Sequence, residues 1–390
     1  MSFPLLIVGA SVRAAAESAH AAGYPVKAID LFNDRDLEEI ADFRLSAQYP
    51  EDLPQLASNF PDVPYLYTGA LENYPEVLAE LSVNHPLIGN RPGTLEKIRN
   101  PFWLFDLLQS ASLPSINLKI HDDCPTDLEK WLIKPFRSGH GMQIRNGSGT
   151  PAQRDEYYQE LKHGLSVGAI FLADGQQCQL IGCHQQFTAL HPNSSQSYHF
   201  CGAVAPLPLP DKTVKTITDI GELLTQESSL RGLFGCDFIV SENTPFLLEV
   251  NPRYTAATEL WETVLNRSLI DDHIVACQQG VLPIKPTRRI SGVSLKLILY
   301  APQETVVTNY FEECLNQVEG ARLADLPAPG NTVSTHDPVC TLLVVGAKTE
   351  DISRAVLTSL REIASNLGWN TQFATDLSEK ISSQIAEDIA

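Results

Sequence analysis

The stretch 230-LRGLFGCDFIVSENTPFLLEVNPRYT-255 holds the fold's most informative pattern: two apolar runs, Cys236 to Val240 and Phe246 to Val250, on either side of a polar turn. That is the signature of a β-hairpin. Pairing about Asn243 sets Asp237 directly opposite Glu249. Side chains alternate along a strand, so the spacing predicts that Asn251, Ile239 and Leu247 share the face of Glu249. Facing carboxylates stand about 5 Å apart and destabilise a partly apolar face. Two readings follow. The face is solvated, or a divalent cation with hard oxygen ligands offsets the charge. Arg253, two residues past Asn251, favours the cation, because a positive group beside magnesium is what a transferring phosphoryl group requires.

Upstream, the apolar run Trp131-Leu132-Ile133 ends in Lys134 and runs into Pro135-Phe136-Arg137-Ser138-Gly139-His140-Gly141-Met142. Glycines let backbone N–H groups converge on an anion and the lysine adds a point charge. The same pattern also describes an ordinary turn, and it lacks the GxxxxGK[ST] spacing of a P-loop. At the N-terminus, Leu5 to Val8, the Ala-rich stretch Val12 to Ala22 and the run Val26 to Leu31 predict a β-α-β unit of a parallel sheet. Its first loop, GASVR, lacks the GxGxxG of a dinucleotide site.

Outward from these segments, a chain of 390 residues is long enough for several cores. The net charge of −19, with no Lys/Arg cluster interrupting it, argues against nucleic acid and anionic membranes as partners. No run approaches the roughly eighteen apolar residues of a membrane span, and the N-terminus lacks a basic leader. Cys124, Cys178, Cys183, Cys201, Cys236, Cys277, Cys314 and Cys340 form no CxxC pair, so free thiols and a cytoplasmic location are expected. Between the first unit and the hairpin, helices are predicted at Glu72 to Leu81, Pro101 to Ala111 and Val214 to Thr225. Strands at Ser166 to Leu172 and Cys178 to Cys183 are expected within a small β-rich lobe at about 115–175. The last hundred residues read as a separate mixed α/β element.

Taken in order, LIKPFRSGHGMQI, YYQELKHGLSVGAIF and the hairpin ending in ExNPR after GxDF resemble the ATP-grasp superfamily over the middle half of the chain. The resemblance implies an α/β fold in three parts: a parallel α/β pre-ATP-grasp domain (1–94), a two-lobed ATP-grasp core (95–288) and a small C-terminal α/β domain (289–390). It implies that Asp237, Glu249 and Asn251 hold one or two magnesium ions, with manganese as a substitute, against the phosphates of ATP. Arg253 then faces the γ-phosphate and Arg231 is a second cation for developing charge. Lys134 reaches the α/β-phosphates under the loop of Ser138, Gly139, His140 and Gly141. Gln159, Glu160 and Leu161 form the adenine hinge. One departure stands out: where many members carry Asp-Lys, this chain has Asn100-Pro101, and Arg99 or Lys97 is left to substitute for the missing lysine.

The activity so implied is that of an ADP-forming ligase, in which a carboxylate becomes an acyl phosphate and a small-molecule amine attacks it. Ser11, Arg13, His184, Gln186 and Tyr198 are candidates for touching substrate; Arg13 also reads as a helix-surface charge and His184 as a satisfied strand-end histidine. The opening GASVRAAAESAHAAGYPVKAIDLF resembles ATP-grasp proteins associated with methanofuran and tetrahydromethanopterin one-carbon cofactors, for which a tyramine–glutamate type of ligation is the expectation. Bicarbonate activation, a kinase and a non-catalytic nucleotide-binding protein are the rivals. A homodimer through the first and central lobes is common in such enzymes.

Overall fold

The structure is a computed structural model, described over residues 3–193, 197–283, 292–309, 311 and 318–385. Its N-terminal part alternates strand and helix: β1 (Leu5–Val8), α1 (Arg13–Ala21), β2 (Val26–Asp30), α2 (Arg35–Glu38), β3 (Ala41–Leu45), α3 (Leu53–Ala57), β4 (Tyr65–Tyr67) and α4 (Pro75–Asn84). The four strands form a parallel sheet in the order β3-β2-β1-β4, as the opening β-α-β pattern requires. β1 is fully buried because helices and the next lobe cover both of its faces.

Two helices, α5 (Pro92–Ile98) and α6 (Pro101–Ser110), lead out of this sheet. Asn100 caps α6: its side chain accepts from the N–H groups of Phe102 (3.0 Å) and Trp103 (3.3 Å), with Pro101 in the first turn. A small antiparallel sheet follows, in the order β5-β8-β6-β7, from β5 (Leu118–Ile120), β6 (Trp131–Pro135), β7 (Arg145–Asn146) and β8 (Glu156–Glu160).

The remaining strands build one large sheet. They are β9 (Leu165–Asp174), β10 (Cys178–Phe187), β11 (Gly202–Ala205), β12 (Arg231–Ser241) and β13 (Thr244–Asn251), then β14 (Val293–Tyr300), β16 (Ala321–Ala324) and β18 (Pro338–Gly346). Their order is β13-β12-β9-β10-β11-β14-β18-β16, while β15 (Thr305–Val306) and β17 (Thr332–Val333) pair separately. Two expectations change. β9 and β10 are strands of the large sheet, since β9 pairs with β12 from Arg231↔Asp174 to Val240↔Leu165, so the small sheet ends at Glu160. The C-terminal segment extends that same sheet through β11–β14 pairing. The expected boundary at 288/289 lies outside the described residues, as does Cys314.

Each face of the large sheet carries a core. α7 (Asp211–Ser228), α10 (Thr349–Asn366) and α11 (Thr371–Gln384) pack on one, where Phe171 and Phe234 stack with centroids 4.9 Å apart. α8 (Thr258–Leu265), α9 (Ile270–Gln279) and α1 pack on the other, with Trp261 and Tyr254 buried among Ile170, Leu172, Ala203 and Leu233. Each such buried large side chain contributes about 1.5–3 kcal/mol. That second core continues into the first sheet, so first and central parts share apolar packing. The other described cysteines are all free. No helix among the described residues is long and apolar enough to cross a membrane.

Candidate active site

The site starts at the β12–β13 hairpin. Glu242 (φ 48°) and Asn243 (φ 64°) form a two-residue turn with Ser241 paired to Thr244. Continued without interruption, that register would set Asp237 against Leu248 and Glu249 against Cys236, which faces the core. A bulge at Leu248 adds one residue to β13, and Asp237 pairs with Glu249 as expected. The bulge also corrects one expectation: Leu247 pairs with Phe238 and turns into the core, while Ile239 stays half-buried on the Asp237 side.

The two carboxylates are held differently. Asp237 accepts from Gln186 Nε2 (2.6 Å) and Asn251 Nδ2 (2.8 Å). Desolvation in the cleft and the facing Glu249 nevertheless push its pKa up to about 7. Desolvation acts the same way on Glu249, but the nearby Arg99 and Lys134 outweigh it and hold Glu249 below the usual carboxylate range. Arg99 Nη1 lies 3.6 Å from Glu249 Oε2. A facing pair in which one member holds a proton near neutrality, with an asparagine amide beside it, is a donor set that fits a hard divalent cation.

Arg253 is buried and paired in bidentate fashion with Glu72 of the first lobe, Nε–Oε2 and Nη2–Oε1 both 2.8 Å. Nη1 donates to Tyr254 O (3.2 Å), and Nη2 also reaches Asn251 Oδ1 (3.4 Å). Of the two residues left to replace the missing lysine, Arg99 is at the site, donating to Ser138 O (2.9 Å), Asn73 Oδ1 (3.2 Å) and Val250 O (3.1 Å). Lys97 points away, bonding Glu227 O and stacking 4.8 Å over Trp103.

Lys134 is buried at the end of β6, its Nζ 3.4 Å from Gln159 Oε1. The Ser138–Gly141 loop rests on the first lobe through Asn73 Nδ2→Ser138 O (3.1 Å) and on the large lobe through Phe200 N→His140 O (3.0 Å). Gly141 (φ 75°) is required there, because a Cβ would run into the Tyr198 carbonyl. A cleft runs between loop and hairpin, lined by Arg99, Lys134, Ser138, Tyr157, Leu248 and Glu249. A neighbouring apolar slot is formed by Leu104, Ile116, Leu118, Leu247 and Leu248 around Gln159. At the hinge, Glu160 is tied to Asn117 (2.7 Å) and Lys162 (2.6 Å), and the Leu161 N–H already donates to Lys130 O (2.8 Å).

Two readings of arginines are corrected. Arg231 starts β12, six residues or about 20 Å from Asp237, with its guanidinium against Gly175, so it does not join the site. Arg13 is fully buried rather than on a helix surface. It pairs with Asp325 (2.8 and 3.2 Å) and Glu259, and Glu259 also takes Lys296 Nζ (2.8 Å). His184 lies on the row Asp237–Gly168–His184 of the large sheet, 1% exposed, and neither ring nitrogen finds a hydrogen-bond partner among the described residues. Burial lowers its pKa to about 3, so the ring is neutral.

A family model described as an ATP-grasp domain matches residues 103–257, the interval containing Lys134, the loop and the hairpin. The chain carries an ATP-grasp domain, and its mixed architecture is the ATP-grasp fold. Among solved structures it is similar to a biotin carboxylase–βγ-ATP complex from Campylobacter jejuni (TM-score 0.73, 14% identity, 96% of this chain and 95% of that one). It is also similar to the N5-carboxyaminoimidazole ribonucleotide synthetase of Thermus thermophilus (0.69, 16%, 94% and 100%). A third is the biotin carboxylase domain of Hydrogenobacter thermophilus 2-oxoglutarate carboxylase with MgADP, ADP and bicarbonate (0.69, 15%, 91% and 89%). An uncharacterized protein of Methanocaldococcus jannaschii is 22% identical over 271 residues, 66% of this chain and 63% of that protein's length.

Proposed function

We propose that this protein is an ATP- and magnesium-dependent ligase that phosphorylates a carboxylate and passes the acyl group to an amine. The observation that carries the reading is Asp237 directly opposite Glu249, beside Asn251, with Arg99 3.6 Å from Glu249 and Lys134 lining the same cleft. Magnesium, when bound by Asp237, Glu249 and Asn251, would supply charge neutralisation on the triphosphate. Lys134 and Arg99 hold phosphate oxygens beside that pair, and Arg99 takes the place of the absent lysine. The apolar slot around Leu248 and Gln159 suits a planar base, with the 159–161 hinge at its edge. Arg253 keeps one guanidinium N–H beyond those that bind Glu72, Tyr254 and Asn251, and offers it to the γ-phosphoryl as it moves to the carboxylate oxygen. His184, neutral, two strands from Asp237 across Gly168 and without a hydrogen-bond partner among the described residues, offers one donor and one acceptor to the substrate. The Ser138–Gly141 loop excludes water from an acyl phosphate that water would destroy.

Within this class, the one-carbon cofactor setting suggested by the N-terminal resemblance makes glutamate with tyramine the first substrate pair to try. A second reading, bicarbonate activation, is favoured by the likeness to biotin carboxylase and to the synthetase of T. thermophilus. ADP release distinguishes them: dependence on an organic carboxylate together with an amine supports the ligase, and dependence on bicarbonate alone supports the carboxylase. A cytoplasmic location fits the free thiols, and a homodimer is part of the proposal, tested by light scattering of the purified chain.

A further inference from the structure

The first lobe contributes more to the site than a wall. Its turn between β4 and α4, Gly69 to Asn73, touches the hairpin and the phosphate loop at once. Glu72 makes both bonds to Arg253 with its side chain wholly inaccessible to solvent. The next residue, Asn73, donates to Ser138 O and accepts from Arg99, which itself donates to the same Ser138 carbonyl. Gly69 lies against both partners: a Cβ there would stand 3.8 Å from His140 Cε1 and 3.9 Å from Arg253 Cζ. The turn is itself anchored, since Gly69 O accepts from Ala10 N (3.3 Å) and Tyr49 Oη (3.2 Å). Ala70 adopts φ 74°, which swings Glu72 and Asn73 toward the central lobe.

We propose that Glu72 is a positioning residue that orients Arg253 for phosphoryl transfer, and that the Gly69–Asn73 turn couples closure of the phosphate loop to that orientation. This rests on the ligase reading for its chemistry, but the coupling is a property of the geometry. A guanidinium free of Glu72 has many rotamers on its three-carbon stem; the fork of Glu72 leaves one. The Nε edge and one Nη2 N–H go to Glu72, and Nη1 is directed by the Tyr254 carbonyl, so the remaining Nη1 N–H has a fixed direction. When the loop lifts, the Ser138 carbonyl leaves Asn73 and Arg99 together. Arg99 then loses one of its three acceptors, keeping Asn73 Oδ1 and Val250 O, and the turn loses its contact next to Glu72. Loop closure therefore completes the contacts of Arg99 and of the turn that carries Glu72, which commits the site to chemistry only when the triphosphate is covered.

The test is a double-mutant cycle on the full chain with Glu72→Gln, Arg253→Ala and the pair, read on kcat, on KM for the carboxylate and on MgATP affinity by calorimetry. The expected result is a 10- to 100-fold loss of kcat in Glu72→Gln with MgATP affinity within twofold of the parent. Glu72→Asp should recover part of the loss. The double variant should be no slower than Arg253→Ala, because Glu72 acts through the arginine. Losses that multiply in the double variant, or a kcat unchanged in Glu72→Gln, overturn the proposal. Should no carboxylate in the panel support turnover, the ligase reading fails while the coupling is still read by nitrogen-15 NMR of arginine side chains. The Arg253 Nε–H signal should be slow to exchange in the parent and broadened in both Glu72→Gln and Asn73→Ala. A signal that stays sharp in both variants overturns the coupling.

Discussion

Asp237 is the residue whose chemistry reports most directly on the site. Its folded pKa of about 7 lies above the ordinary carboxylate value, so at this position the fold is favoured by the protonated form. The contribution is fully present below about pH 4 and is lost as pH rises through about 7 in metal-free protein. Magnesium needs the ionised form, so its affinity should rise steeply between about pH 6 and 8. Calorimetric titration with magnesium and a nucleotide across that range checks this; a pH-independent affinity contradicts it. Asp237→Asn should flatten the pH dependence of the metal-free melting temperature. A second expectation concerns Arg253 and Glu72. Breaking a buried bidentate pair from one side costs about 3–5 kcal/mol, so Arg253→Ala and Glu72→Ala should each lower stability by that order in urea titrations, and the double variant by less than the sum. Additive losses would mean that the pair is not the unit.

At the scale of the element, the hairpin depends on a one-residue bulge. Deleting Leu248 removes only the unpaired residue, so Glu249 should stay opposite Asp237 and Val250 opposite Cys236, and magnesium-dependent nucleotide binding should be retained while β12 and β9 stay paired. Lost binding would show that the bulge itself, and not the carboxylate pairing alone, is what holds the site. The same hairpin shows what a sequence can and cannot say. Alternation and the ExNPR ending make Asp237 and Glu249 readable, yet the positive φ of Glu242 and the bulge are not. Pairing symmetrically about Asn243 reaches the right partner at the bottom of the hairpin and the wrong face for Leu247. Lys134 is legible because a single charge closes an apolar strand. Arg231 is misplaced by the motif, because its distance from Asp237 has to be counted along β12. Glu72 belongs to no local pattern and reaches the site only when the first lobe folds against the hairpin, whereas Arg99 is legible from its place before Asn100-Pro101.

Over the whole molecule, long-range ion pairs join what the sequence reads as separate parts. Arg13 of the first lobe binds Asp325, from the loop after β16, and Glu259 of α8, and Glu259 also binds Lys296 of β14. Arg13→Leu should therefore destabilise the chain by about 3–5 kcal/mol and make the first lobe susceptible to proteolysis before the central one; simultaneous loss of both lobes would mean that the shared apolar core, not Arg13, joins them. The C-terminal strands complete the sheet that carries the hairpin, which composition alone could not reveal because β14 and β18 have ordinary buried-strand patterns. Whether this assembly uses ATP to activate a carboxylate is tested most directly by ADP release from the purified chain with MgATP and a panel of carboxylates and amines, bicarbonate included, alongside Glu249→Ala. ADP release that requires one organic carboxylate and one amine, and that falls at least 100-fold in Glu249→Ala, is the predicted result. The absence of both turnover and MgATP binding in the parent chain would contradict it.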